Sequence, residues 1–153
     1  MMVSTARRLL AGFIRLDGSH RRLLTQAAAR HLAIACLIRT PARRMLSRWW
    51  SGAVEQRMAA TADAEAEARV VWAVKTATSL IPIGRTCLTE ALTVHWLLSA
   101  AGCASVVRIG VARSVDGGTP LLAHAWVECG GRAVIGGETT VVYQPLVHRR
   151  EQA

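Results

Sequence analysis

The chain has 153 residues, 52% of them hydrophobic, and a formal net charge of +9; it is long enough for one domain with its own core and too apolar for a disordered tail. The charge is lopsided: residues 1–60 hold 11 arginines and no lysine against Asp17 and Glu55, whereas residues 61–153 balance eight basic with eight acidic residues. An acidic partner is therefore expected for the front of the chain and not for the back.

The opening, MMVSTARRLLAGFIRL, lacks a secretory pattern, and Cys36, Cys87, Cys103 and Cys129 have no CxxC spacing. A cytoplasmic location is expected. From Arg7 to Arg57, Leu, Ala and Ile groups alternate with arginines at helical spacing, as in Leu23, Leu24, Ala27, Ala28, His31, Leu32 and Ala35. Helices are predicted there, broken by a capped turn at Asp17-Gly18-Ser19 and by Thr40-Pro41. The apolar run Leu23 to Ile38, interrupted by Thr25, Gln26, Arg30 and His31, is too short and too polar to span a bilayer. A basic helix of this kind, through faces such as Arg39, Arg43 and Arg44, could instead lie on the anionic inner face of a membrane.

Ala59 to Leu80, with Asp63, Glu65 and Glu67 early and Lys75 late, has the charge order that complements a helix dipole and should be one helix ending before Pro82. IPIGRT turns the chain into a helix opening at Cys87 and running to about Ala101, with Gly102 in the C-cap position. SVVRIGVA (105–112) reads as a strand, VDGGTP as a hairpin connection, Leu121 to Cys129 as the returning strand, and Gly130-Gly131 as a turn into RAVI. An antiparallel meander results, to which TTVVYQPLV could add a fourth strand. Residues 1–60 form a basic helical segment and 61–153 the core, together one structural unit.

Two residues in this layout could carry chemistry. Cys87 follows Thr86, whose hydroxyl can cap the helix, so the sulfur lies in the first turn, where free N–H groups and the dipole favour a thiolate. The alternative is a small buried residue of the stripe Cys87, Ala91, Val94, Leu98. His124 shares a strand face with Trp126 and Glu128, opposite Ala125, Val127 and Cys129; it reads either as a base or as a hydrogen-bonded structural histidine. A cysteine at a helix start followed by a strand histidine is how papain-like enzymes build a nucleophile and base pair. His95, eight residues along the helix from Cys87, is about 12 Å away in rise and cannot serve. No zinc pattern fits Cys103 and Cys129, and no cofactor or metal is expected.

RTCLTEALTVHWLLSAAGC, then VVRIGVAR, then LLAHAWVECGGRAVIGG resembles the transglutaminase-like cysteine peptidases of lasso-peptide biosynthesis over about Val70 to Val147. The resemblance implies an α+β fold of the transglutaminase or papain-like type. Cys87 would be the nucleophile, and His124 the base that activates it and later protonates the leaving amine. The substrate would be a ribosomal precursor peptide, cut between leader and core. The freed core amine would then be closed into a macrolactam by a separate ATP-dependent lasso cyclase, and a separate leader-recognition protein would deliver the precursor.

Family members often carry an Asp twelve residues after the histidine; here that position is Gly136. Glu128 is about 13 Å along the strand from His124. A simple two-residue turn sets Gly137 opposite His124, which brings Glu138 nearby as a candidate orienting carboxylate, with a backbone carbonyl or an amide as alternatives. Thr86 and Trp126 are candidates for the substrate groove, Trp126 equally for the core. The oxyanion hole would use the Cys87 N–H and one further donor.

Other function classes remain open. The same cysteine and histidine could serve an acyltransferase or amidase, since an amine can intercept a thioester in place of water. Without the Asp, a non-catalytic scaffold that binds the precursor is a third class. Nucleic acid is not the expected partner, because the arginines interleave with Leu and Ala and no DNA-binding motif or base-stacking aromatic set appears.

Overall fold

The computed structural model of the chain describes residues 13–40, 63–113, 121–137 and 141–146. Expectations that fall on other residues, among them the hairpin at 115–120, Glu138, Arg43 and Arg44, lie outside these.

Helix α1 (Gly18–Ile38) begins where the Asp17 carboxylate accepts the His20 N–H at 2.8 Å. That bond, with those from Ser19 and the His20 ring, holds the Asp17 carboxyl well below the usual carboxylate range. Leu24, Ala27, His31, Ile34 and Ala35 are buried, the three-and-four spacing of one helix face. Helix α2 (Ala64–Leu80) starts later than the expected Ala59, because Asp63 stands outside the helix as its cap, accepting from Glu65 and Ala66 N–H at 3.1 and 3.2 Å. It stops two residues before Pro82, as expected.

Helix α3 (Cys87–Ala100) buries every residue from Ala91 to Leu98 except Trp96. A helix apolar on all sides is an interior helix, and α3 contacts α1 and α2 as well as the sheet. It ends in a Schellman motif, with Gly102 and Cys103 N–H bonded to Ser99 and Leu98 carbonyls at 3.1 and 2.9 Å.

Strands β1 (Val106–Ala112), β2 (Leu122–Cys129) and β3 (Arg132–Ile135) form the antiparallel meander, and β4 (Gln144–Pro145) joins it on the far side of β1, giving the order β3-β2-β1-β4. Val107, Ala125, Val127, Cys129 and Ile135 face the helices and share one core with Leu24, Val70, Val74, Val94 and Leu98. The buried Glu67 of α2 accepts from Arg132 Nη2 of β3 at 2.6 Å, tying helix to sheet edge. The architecture is α+β. Among the described residues no helix is long and apolar enough to cross a membrane.

One register detail departs from expectation. Cys129 pairs with Arg132 and Glu128 with Ala133, but a bulge then pairs Val127 with Ile135 rather than Val134. The ladder ends at Ile135, so Gly137 does not sit opposite His124 in a continued strand.

Candidate active site

The turn that delivers Cys87 is fixed by side chains from two helices. His31 of α1, fully buried, places Nε2 at 3.2 Å from the Ile83 carbonyl, and Thr89 of α3 places Oγ1 at 3.0 Å from the Gly84 carbonyl. Gly84 has φ +68°, and a Cβ there would stand 2.6 Å from the Ala35 Cβ; only glycine suits both the conformation and the approach. Thr86 is the N-cap, as expected, and exchanges hydrogen bonds with Thr89 in a capping box: Thr89 N–H to Thr86 Oγ1 at 3.1 Å and Thr86 N–H to Thr89 Oγ1 at 2.9 Å.

Cys87 is thereby the first residue of α3, half-buried, its thiol free. The Glu90 N–H already bonds the Thr86 carbonyl, so among the described residues the amides of this first turn without a partner are those of Cys87 and Leu88. Two convergent N–H groups beside a sulfur can stabilise a thiolate or an oxyanion. Arg85 Nε and Glu90 Oε1 pair at 2.8 Å across the same turn.

His124 lies on β2 with its ring on the sheet face that also carries Trp126 and Glu128. Its Nε2 is 2.7 Å from the Gly136 carbonyl oxygen. A carbonyl only accepts, so in the neutral ring the proton is on Nε2 and Nδ1 carries the lone pair. The Trp126 ring lies nearly parallel, 17° off with centroids 6.2 Å apart, and the Tyr143 ring is 5.0 Å away and tilted by 31°. Gly110, the cross-strand partner of His124, makes room for both: a Cβ there would stand 2.9 Å from Trp126 Cζ3 and from Tyr143 Cβ. Trp126 Nε1 donates to Glu128 Oε1 at 2.8 Å, and Arg108 Nε to Glu128 Oε2 at 3.1 Å. Glu128 is thus engaged elsewhere, in keeping with its distance from the imidazole.

The structure brings His124, Trp126 and Gly136 together and adds Gly110 and Tyr143. Cys87 and His124 are not hydrogen-bonded to one another among the described residues, and Glu138 lies outside them. Cys87 packs against the core, whereas the His124 ring leaves β2 on the face opposite Ala125 and Val127. Helix α3 leads into β1 through residues 101–105, and His124 lies opposite Gly110 of that strand.

Other candidates fall away. His95 is buried against Ser105 Oγ at 2.9 Å, and burial holds its imidazole below the ordinary value. Cys129 is held protonated, its pKa pushed up to about 11, first by burial and then by Glu67 and Cys103. Among the described residues no cluster could hold a metal. Sequence reasoning missed Tyr143 and Gly110; a glycine inside an apolar strand marks close approach and could have drawn attention to Gly110.

This arrangement has the parts for thiol chemistry: a sulfur at open helix amides, and an imidazole with one nitrogen committed and the other without a partner among the described residues. A family model described as the Transglutaminase-like superfamily matches residues 20–148. No curated protein and no solved structure matches the chain significantly.

Proposed function

Because the chain belongs to the transglutaminase-like superfamily, whose chemistry is of the cysteine peptidase and acyltransferase type, we propose that it is a cysteine endopeptidase that removes the leader from a ribosomally made lasso-peptide precursor. The observation that supports this most is the pairing of a capped α3 start at Cys87, with two open amides, and a His124 whose Nε2 is already committed to Gly136.

In this reading the Cys87 thiol proton passes to His124 Nδ1, and the thiolate attacks the carbonyl of the last leader residue. The oxyanion is held by the Cys87 and Leu88 N–H groups. The imidazolium then protonates the departing core amine, leaving the leader as a thioester on Cys87, and water activated by His124 hydrolyses it. The sulfur and imidazole would be brought together over the bound substrate. Catalytic contacts that tighten only when substrate is bound are common in free enzymes. Thr86 and Trp126 would border the bound peptide. A separate leader-recognition protein would present the precursor, and an ATP-dependent cyclase would consume the freed amine.

Mass spectrometry of the precursor, incubated with this protein and its leader-binding partner, tests the reading. Cleavage at one bond, lost in Cys87→Ala and in His124→Ala, is the expected result. A precursor left intact by folded wild-type protein with its partner present would rule the peptidase out. A product heavier by an added amine in place of water would establish the acyltransferase instead.

A further inference from the structure

We infer that the backbone carbonyl of Gly136 is the positioning group for His124, fixing the tautomer that presents Nδ1 as the base; the inference rests on the reading of Cys87 and His124 as the reacting pair. An imidazole that is to take a thiol proton needs one nitrogen bare and the ring held at a set angle, work commonly done by a side-chain carboxylate or amide behind the other nitrogen. Here Nε2 is 2.7 Å from the Gly136 carbonyl oxygen, a short bond to an atom that can only accept.

The local backbone is built for that contact. Gly136 has φ +77°, and a Cβ there would meet the Ala125 carbonyl oxygen at 2.9 Å, Trp126 Cβ at 3.0 Å and Trp126 Cα at 3.2 Å. Two of those three atoms are backbone and cannot swing aside, and the φ itself disfavours any L side chain. Glycine is therefore required for the chain to turn here and aim its carbonyl at the ring. The bulge opposite Val127 and Glu128 sets the register of Ile135, immediately before this turn. Among the described residues the ring's other neighbours are aromatic: Trp126 and Tyr143 pack near it over the space that Gly110 leaves open. The nearest carboxylate along the strand, Glu128, holds Trp126 and Arg108.

Nitrogen-15 NMR of the full chain near neutral pH reads the tautomer directly, with the His124 signals assigned by their loss in His124→Gln. The expected spectrum has a protonated Nε2 with a slowly exchanging proton and an unprotonated Nδ1. In Gly136→Ala that preference should be lost, and kcat on the precursor should fall on the order of 100-fold with a much smaller change in KM, the signature of a misplaced reacting group. A wild-type ring protonated on Nδ1, or averaging between the two forms, overturns the inference without recourse to any variant. Wild-type protein that shows the expected tautomer yet cleaves no precursor overturns the peptidase reading and leaves the hydrogen bond standing.

Discussion

The angle of the His124 ring depends on a residue that contributes no side chain, Gly110, directly across the strand pair. With a methyl group there, Trp126 and Tyr143 would each have to move from 2.9 Å, and overpacking of this kind costs about 1–3 kcal/mol. Gly110→Ala should therefore lower the denaturant midpoint and change the Trp126 environment, both read by tryptophan fluorescence during urea unfolding; a midpoint equal to wild type would show that the rings rearrange freely. At this scale the sequence exposes only what a side chain advertises. Cys87, His124 and Trp126 stand out by chemical type and by strand alternation. Gly136 appeared only as a missing Asp, because a carbonyl's role leaves no mark in the residue letter. Tyr143 comes to the ring through the β1–β4 pairing, which no local pattern encodes.

Helix ends were the most legible elements, since a cap is a contact among near neighbours. Asp17, Thr86 and Gly102 are legible as caps, whereas the Ala-rich pattern from Ala59 places Asp63 inside a helix that it in fact caps. Thr89 was not legible in the same way. Its hydroxyl serves Thr86 N–H and the Gly84 carbonyl at once, and the second partner belongs to a turn whose shape α1 dictates. Thr89→Val keeps the volume and removes both bonds in a buried site, which should cost about 1–3 kcal/mol. Because the same bonds set the start of α3, the rate of Cys87 alkylation should change as well, whereas a purely global effect would leave that rate unchanged under native conditions. Sheet register was less accessible still: the slip at Val127 and the placement of β4 beside β1 arise from packing between distant segments.

At the scale of the molecule, α1 contributes Leu24 and Ala27 to the same core as α2, α3 and the sheet. Some of its charge is satisfied internally: Arg30 lies over the Trp96 ring at 5.4 Å. Arg21, Arg22 and Arg39 are exposed and remain the part of this helix available to an acidic surface. Acid should loosen the fold through His95. Burial holds the folded imidazole below 6.5, so the unfolded chain takes up the proton first as pH falls. The stability owed to the neutral ring is present above that value and is lost as pH drops toward the folded one. Urea midpoints at about pH 7.5 and about pH 5 should differ, and less so in His95→Gln; an equal difference in the variant would assign the effect to other groups. The uneven burial of the thiols has a practical corollary in labelling stoichiometry. Cys103 and Cys129 are buried, Cys87 is half-covered and Cys36 is exposed, so an electrophilic dye should modify two positions in native protein and four after unfolding. Changing Cys36→Ser would leave a single reactive handle, at the head of α3, on which a fluorophore would report directly on whatever peptide enters the site.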